Sequence, residues 1–174
     1  MDKTIYLDLE HCVGCGACAV ACMDQNDIYP EKGQPPFRRI YRIEGREFPG
    51  ASIQYLSAAC MHCEDSPCVM GCPTGAIAKD GRTGAIVVNK TLCIGCHSCA
   101  LACPFGVPRY DQDDKMQKCN LCTERVEAGL EPACVRVCPT GALKFESMNK
   151  VQGVKESEFV GNIVNAVQRA ATRK

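Results

Sequence analysis

The chain has 174 residues but no tryptophan and only five phenylalanines, so it has little of the large aromatic surface that usually fills a protein core. It has no apolar run approaching the length of a membrane-spanning helix, and we therefore expect no direct membrane span. Neither charge is in excess, with 20 basic and 20 acidic residues, and no basic stripe marks a nucleic-acid-binding surface. The interior needs another source of contacts, and no nucleic-acid partner is expected.

Cysteine is abundant instead: there are sixteen, arranged in four groups of four. Groups one and three have the spacing C-x2-C-x2-C-x3-C, whereas groups two and four have a longer gap before the third cysteine. The groups are Cys12, Cys15, Cys18 and Cys22; Cys60, Cys63, Cys68 and Cys72; Cys93, Cys96, Cys99 and Cys103; and Cys119, Cys122, Cys134 and Cys138. Proline follows the last cysteine of three groups, as Pro73, Pro104 and Pro139, and Met23 follows in group one.

This spacing is the one that holds cubane iron–sulfur clusters in bacterial ferredoxins. Three thiolates must converge on one cube from a tight loop, and two-residue gaps let backbone turns supply that geometry. We expect the fourth cysteine to start a helix that points away from the loop. In two-cluster ferredoxins the fourth cysteine ligates the neighbouring cluster. The sequence therefore predicts four [4Fe-4S] clusters held by all sixteen cysteines.

Two other uses of cysteine are less consistent with the pattern. A disulfide framework needs an oxidising compartment, yet the sequence begins Met-Asp-Lys-Thr-Ile-Tyr without the apolar core of a signal peptide. Zinc sites use paired C-x2-C knuckles separated by a long gap, which group four alone could imitate. The compact groups one and three do not resemble knuckles, so we favour iron–sulfur clusters.

Clusters would change the charge of the protein. Each oxidised cubane with four thiolates carries about −2, so four would bring the neutral chain to about −8. Lys118, Arg125 and Arg136 lie near group four and either balance cluster charge or face solvent. The same two interpretations apply to a cluster of arginines, which comprises Arg38, Arg39, Arg42 and Arg46. His11 and His62 are adjacent to cysteines and could tune cluster potentials or ligate iron, and we favour a position at the surface or beside a cluster without ligation.

Groups two and three are expected to form one module. The segment from Cys72 to Cys93 is typical of a strand, an Asp80-Gly81 turn and a second strand. Outer strands are expected at Ser52–Leu56 and near Arg109. The two predicted ligand sets are Cys60, Cys63, Cys68 with Cys103, and Cys93, Cys96, Cys99 with Cys72.

Groups one and four lie towards opposite ends of the chain. Cys138-Pro-Thr-Gly-Ala-Leu-Lys-Phe nearly repeats the sequence after Cys72, and Thr4-Ile-Tyr-Leu-Asp-Leu precedes Cys12. Pairing these segments as strands recreates the same module across the chain ends. The predicted ligand sets are then Cys12, Cys15, Cys18 with Cys138, and Cys119, Cys122, Cys134 with Cys22. Tandem pairing of groups one with two and three with four is the alternative that spacing leaves open.

The expected fold is therefore α+β, with one bacterial-ferredoxin-like module inserted into another. Residues 1–50 and 110–146 form the outer module, residues 51–109 the inserted one, and 147–174 a linker and an amphipathic helix. The linker runs through Gly153, and the helix is predicted from about Ser157, as its cap, to Arg173. This helix either folds back on its own domain, docks on a partner, or mediates self-association with a second copy.

Several segments resemble one known family. They are Phe37-Arg-Arg-Ile-Tyr, Tyr55-Leu-Ser-Ala-Ala-Cys-Met-His-Cys, Cys93-Ile-Gly-Cys and Lys118-Cys-Asn-Leu-Cys-Thr-Glu-Arg-Val. Through them the first 146 residues resemble the four-cluster electron-transfer subunit of molybdenum or tungsten oxidoreductases, of the dimethyl sulfoxide reductase beta-subunit type. The resemblance implies the inserted fold, the crossed ligand sets and four cubanes.

The resemblance also implies a non-catalytic subunit that works as a wire to a large Mo/W-pterin catalytic subunit. Aldehyde oxidoreductase, formate dehydrogenase and benzoyl-CoA reductase are candidate enzymes, with a flavin/NAD-binding or ferredoxin-reacting subunit as a further partner. A free polyferredoxin that diffuses between enzymes is the alternative. We expect a cytoplasmic location, or export together with a signal-bearing partner.

Metal analysis separates the iron and zinc interpretations. If all four cubanes form, the purified protein is expected to be brown and to carry about sixteen iron atoms per chain, because each cluster holds four. A colourless protein with stoichiometric zinc would contradict the cluster prediction. Chelation of the iron is expected to unfold the chain, since the clusters replace much of its apolar interior, and circular dichroism measures this loss.

Overall fold

The computed structural model describes residues 3–44 and 53–171, with the side chains of residues 162, 165–167 and 169–171 left aside. Short strands and helices alternate along these ranges. The strands are β1 (Lys3–Leu7), β2 (Arg39–Glu44), β3 (Ile53–Ala58), β4 (Ile77–Lys79), β5 (Ile86–Val88), β6 (Arg109–Tyr110), β7 (Met116–Gln117) and β8 (Leu143–Ser147). The helices are α1 (Ala17–Gln25), α2 (Pro67–Met70), α3 (Ser98–Ala102), α4 (Thr123–Glu127), α5 (Ala133–Arg136) and α6 (Met148–Ala171), with a 3-10 turn at Pro30–Lys32.

Strands β1 and β8 join the two ends of the chain. They pair antiparallel, with Ile5 opposite Phe145 and Leu7 opposite Leu143. Helices α1 and α5 pack together beside this sheet, and Leu143 forms a core with Cys18, Cys134 and Val135. The predicted pairing of these two segments is confirmed, and it brings cysteine groups one and four together.

Strands β4 and β5 form the hairpin expected between groups two and three. Ile77 lies opposite Val88, and the Asp80 carboxylate closes the turn by accepting a hydrogen bond from the Thr83 backbone N–H at 2.9 Å. Ile77 and Ile86 are buried with Cys99 and Met116 in a second core. Each core therefore includes cysteines of the predicted sites.

The third sheet differs from expectation. The outer strand predicted at Ser52–Leu56 is observed as β3, and Ser52 lies outside the described residues. Strand β3 pairs with β2, which contains Arg39 and Arg42 of the arginine cluster and which was not predicted from the sequence. The strand expected near Arg109 is β6, which pairs with β7. Arg46 lies outside the described residues.

The helices next to the cysteines begin earlier than predicted. Helices α2, α3 and α5 contain the third cysteine of their group and end before the fourth, and α1 contains both Cys18 and Cys22. The expectation that a helix starts at the fourth cysteine is therefore wrong. A gap of three residues is about one helical turn, so the helix itself carries the chain from the third cysteine to the fourth.

The C-terminal helix is longer than predicted. Helix α6 begins at Met148 directly after β8, so the prediction of a linker through Gly153 is wrong. Ser157 was expected to cap the helix, but it lies inside α6 and its hydroxyl donates to the Gly153 carbonyl. A single exposed glycine costs only about 1 kcal/mol, too little to stop a helix. Lys150 at the start of α6 pairs with Glu146 of β8, which adds support where the strand meets the helix. Residues 172–174, including Arg173, lie outside the described residues.

The first half of α6 contacts the β1–β8 sheet, where the Lys155 ammonium lies 5.1 Å from the centre of the Tyr6 ring. Farther along, Phe159 is 64 % exposed, and Val160, Ile163 and Val164 are also exposed. The helix is therefore anchored on its own domain but leaves apolar side chains uncovered. Among the described helices, none is both long enough and apolar enough to cross a membrane.

Candidate metal centres

Three cavities are each lined by four cysteines that come from two different groups. Site one is lined by Cys12, Cys15, Cys18 and Cys138; site three by Cys60, Cys63, Cys68 and Cys103; and site four by Cys72, Cys93, Cys96 and Cys99. The four remaining cysteines form site two. They are Cys22, Cys119, Cys122 and Cys134, which are buried and interact electrostatically with one another. In every site, three cysteines of one group meet the fourth cysteine of another.

The spacing of these thiols suits a group larger than one ion. A single zinc ion draws its sulfur ligands to about 2.3 Å. Across residues 3–44 and 53–171, no three His, Cys, Asp or Glu side chains converge tightly enough to hold a single metal ion. Each set supplies the four thiolates that one cubane requires, and the lack of a tight three-residue group in these ranges favours clusters over single zinc ions.

A shared backbone conformation shapes the four cysteine loops. The second residue after the first cysteine has a positive φ in every group: Gly14 at 68°, His62 at 47°, Gly95 at 69° and Leu121 at 61°. At His62 and Leu121 the backbone N–H donates to the sulfur of Cys60 and Cys119, each at 3.4 Å. Amides that donate to sulfur stabilise thiolate ligands and tune cluster potentials. Sequence reasoning did not anticipate this conformation at His62 and Leu121.

Two buried cations lie among the sites. The Lys118 side chain donates to the carbonyl oxygens of Ile86 and Cys119, and Arg38 donates to Ser57. In the described part of the chain, no carboxylate forms an ion pair with either. Buried cations are almost always paired with an anion. Dianionic [4Fe-4S] clusters would supply that negative charge, so the cations fit the cofactor that the cysteines predict.

The structure separates the three cations near group four that the sequence could not rank. Lys118 is buried, whereas Arg136 is exposed. Arg125 is half-buried and donates to the Glu131 carbonyl at 2.9 Å, and its charge also acts on the Cys122 thiol of site two. Among these three, only Lys118 has the burial that a strong counter-charge requires.

Burial is greatest at site two. Its four cysteines are between 4 % and 8 % exposed, and burial raises the pKa of the Cys119 thiol to about 11. Burial likewise raises the pKa of Cys22 and Cys134. These thiols would hold their protons at neutral pH unless a positive metal centre displaced them. Sites one and four are more open, because Cys15 and Cys96 are exposed.

The two histidines adjacent to cysteines, His11 and His62, have other partners in the structure. His11 is an exposed partner of Asp8, at 3.0 Å. His62 is buried enough that desolvation, aided by the charges of Lys118 and Arg38, lowers its pKa to about 3. Its Nδ1 accepts a hydrogen bond from the Ile86 N–H at 2.9 Å. A neutral His62 thus helps to hold β5 against the group-two loop.

Hydroxyl groups contact cysteine sulfur in sites one and four. Ser57 lies 3.3 Å from the Cys18 sulfur and Tyr110 lies 3.2 Å from that of Cys99. Thr74 and Thr140 approach Cys72 and Cys138 at 3.7 and 3.8 Å. Ser98 lies 3.5 Å from the Cys96 sulfur. The prediction from sequence missed all of these hydroxyls. The repeated Cys-Pro-Thr-Gly-Ala segments carried a signal for the two threonines, whereas Ser57 and Tyr110 come from distant strands.

Cysteine loops of this shape, amides directed at sulfur, and buried cations that have no carboxylate partner among the described residues define an iron–sulfur protein of the ferredoxin type. Two matches to the 4Fe-4S dicluster domain cover residues 11–77 and 51–148. [4Fe-4S] clusters are therefore its cofactors, and ferredoxin-like dicluster domains form its mixed helix and strand fold.

Three relatives indicate which kind of iron–sulfur protein this chain is. The chain is 39 % identical over 157 residues to the B subunit of the anaerobic dimethyl sulfoxide reductase of Haemophilus influenzae, covering 84 % of this chain and 75 % of the relative. It is 44 % identical over 146 residues to the thiosulfate reductase electron transfer subunit PhsB of Salmonella typhi, covering 82 % and 74 %. The iron-sulfur subunit of the nitrate-inducible formate dehydrogenase of Escherichia coli is 35 % identical over 165 residues, covering 86 % and 56 %.

The chain therefore belongs to this family of iron–sulfur subunits of molybdenum oxidoreductases. It is an electron-transfer subunit and not a catalytic one, as the sequence predicted. The family resemblance inferred from the motifs is confirmed.

A matched pair of glycine substitutions tests the site-one loop. A Cβ at Gly14 would overlap the Tyr55 ring, whereas a Cβ at Gly16 meets nothing within 4 Å, although both residues have positive φ. Gly14→Ala is therefore expected to lose about four of sixteen irons, and Gly16→Ala to keep them at a backbone cost of about 1–2 kcal/mol. Iron content and EPR measure this difference. Equal iron in the two variants would show that the Tyr55 contact does not shape the loop.

Proposed function

We propose that the chain carries four [4Fe-4S] clusters as a wire between a Mo/W-pterin catalytic subunit and a redox partner. Sites one, two, three and four lie in that order along the wire. The support for this order is electrostatic contact between neighbouring sites: Cys18 of site one acts on Cys134 of site two, and Cys60 of site three acts on Cys119 of site two. Sites three and four are linked by the contact of α2 with α3.

The ends of the wire are the more accessible sites. Cys15 of site one and Cys96 of site four are exposed, whereas every cysteine of site two is buried. A bound [4Fe-4S] cluster accepts and releases one electron at a time. The chain positions the cysteines, excludes water from site two, and directs amides and hydroxyls at sulfur. Partners would therefore exchange electrons at sites one and four.

The ligand assignment follows the crossed sets, with all sixteen cysteines as ligands and the fourth cysteine of each group serving a neighbouring site. Residues 1–50 and 110–146 would then form the outer module around the inserted residues 51–109. The antiparallel β1–β8 and β4–β5 pairs support this arrangement, because each joins the two groups of one module. If the groups paired in tandem, groups one and four would belong to different modules. The β1–β8 sheet would then not join the two groups of one module.

The large partner is a molybdenum or tungsten enzyme by analogy with the relatives, which are named as subunits of dimethyl sulfoxide reductase, thiosulfate reductase and formate dehydrogenase. Aldehyde oxidoreductase, formate dehydrogenase and benzoyl-CoA reductase remain our candidates. A flavin/NAD-binding or ferredoxin-reacting subunit would be the redox partner at the other end of the cluster chain. We place the complex in the cytoplasm, with export beside a signal-bearing partner as the alternative, because sixteen cysteines that must stay reduced to ligate iron suit a reducing compartment.

Helix α6 favours a stable subunit over a freely diffusing polyferredoxin. Phe159, Val160 and Ile163 are exposed on a segment distant in sequence from every cysteine. A helix docked through such side chains hides them from water, whereas a free carrier would leave them exposed. We propose that this half of α6 docks on the catalytic subunit, with a second copy of this chain as the alternative.

Native purification tests the partnership. A tagged full-length chain is expected to bring down a large subunit with stoichiometric molybdenum or tungsten, measured by metal analysis of the complex. A chain ending before Ser157 is expected to keep its iron but form a smaller complex. Recovery of the full-length chain alone, brown and free of both metals, would favour the polyferredoxin. An unchanged complex size for the truncated chain would refute docking through α6.

Paired cysteine substitutions test the ligand sets. Cys22→Ala and Cys119→Ala are expected to abolish the same EPR signal, that of site two, while Cys138→Ala and Cys12→Ala abolish another. The reason is that one missing thiolate suffices to convert or lose a cubane. If Cys22→Ala instead abolished the signal lost in Cys12→Ala, the crossed assignment would be wrong. Variants at exposed Cys15 control for general loss of folding, since they should spare site two.

A further inference from the structure

We infer that Lys118 and Arg38 are counter-charges shared between adjacent clusters, and that together they hold up the reduction potential of the buried site two. The inference rests on the ligand sets proposed above. Neither residue is a ligand. Each acts through a fixed positive charge placed at the boundary between two sites, so each is a positioning and tuning residue for electron transfer.

Lys118 lies at the boundary between sites two and three. It is 5 % exposed, and its ammonium donates to the carbonyl of Cys119, a site-two cysteine, at 2.9 Å. The same side chain lines the cavity of site three. A second hydrogen bond, to the Ile86 carbonyl, fixes it there. One ammonium is thus held against both inner sites.

Arg38 occupies the equivalent place between sites one and two. It is 4 % exposed and donates to the Ser57 carbonyl at 3.2 Å and to the Ser57 hydroxyl at 3.0 Å. That hydroxyl lies 3.3 Å from the sulfur of Cys18 in site one. Arg38 also acts electrostatically on Cys134 of site two, where it opposes the rise in pKa that burial causes. Each of the two cations therefore lies between site two and a neighbouring site, Lys118 towards site three and Arg38 towards site one.

The surroundings of these two cations differ from those of the other described lysines and arginines. Lys79, Lys90 and Lys144 form ion pairs with carboxylates at the surface, where solvent screens their charge. Lys115 also donates to a ligand carbonyl, that of Cys93 in site four, but it is half-exposed. Charge in a dry environment acts more strongly than charge near water. Lys118 and Arg38 combine burial with the lack of a described carboxylate partner.

The sign of the effect follows from cluster charge. Reduction adds one negative charge to a cluster of about −2, and burial disfavours the more highly charged form. Site two is the most buried, so its cluster would be the hardest to reduce without compensation. Two flanking cations favour the reduced form and oppose that penalty. Site three receives this help from Lys118, site one from Arg38, and site four from neither.

Redox titrations followed by EPR on the intact complex test this pattern. Lys118→Met is expected to shift the reduction equilibria of sites two and three at least tenfold toward the oxidised form, or about 59 mV lower for one electron. Arg38→Met is expected to shift sites one and two in the same direction. Site two is then the one centre whose reduction potential is lowered in both variants. The inference would be overturned if either variant left the reduction potential of site two unchanged.

Lys115→Met is the matched control, because it removes a lysine that also donates to a ligand carbonyl but is reached by solvent. Its effect should be confined to site four and be less than tenfold. An equal effect of Lys115→Met on site two would mean that burial and location do not matter, and would contradict the inference.

Assembly is tested with a charge-preserving variant. If Lys118→Met loses iron from sites two and three, Lys118→Arg should retain that iron, because the positive charge is what the clusters require. Loss of the same iron in both variants would indicate a packing role and overturn the inference. Failure of the proposed ligand sets is recognised separately, since the paired cysteine variants would then abolish the wrong EPR signals whatever Lys118 does.

Discussion

Four sulfur atoms must surround one cavity, three from a tight loop and one from a distant segment, and the rest of the structure depends on this constraint. Positive φ at the second residue after the first cysteine shapes each loop, and a short helix carries the chain to the fourth cysteine. The two described cores contain Cys18, Cys134 and Cys99 beside apolar side chains. The sites and the cores are therefore built from the same residues, which explains how the chain folds without tryptophan.

Electrostatics sets a second requirement. An unpaired cation in a protein interior is costly unless an anion lies nearby. Lys118 and Arg38 are buried without a described carboxylate partner, and both lie beside cysteines that fit dianionic clusters. The positive charges that balance the buried clusters also favour their reduced form. Stability of the fold and conduction of electrons thus rest on one set of contacts.

Local pattern predicted much of this fold. The β1–β8 and β4–β5 pairs were expected because nearly the same sequence follows Cys72 and Cys138. Strand β2 was missed because its arginines were interpreted only through their charge, as a solvated face or as a counter-charge to clusters. Arg38 next to it is buried against Ser57 of β3. The start of α6 was placed too late because Gly153 and polar neighbours suggested a linker. Contacts with the β1–β8 sheet and local ion pairs extend the helix to Met148.

The sequence by itself determined the chemistry: thiolate ligands at cubane spacing specify iron–sulfur clusters, because ligand type and short-range spacing are local properties of a chain. Tertiary structure decided which cations act on those clusters. Lys118, Arg125 and Arg136 were equivalent in sequence, but only Lys118 is buried between two sites. Burial depends on every segment that packs around a side chain, and the field of a charge depends on burial, so this distinction arises only in the folded protein.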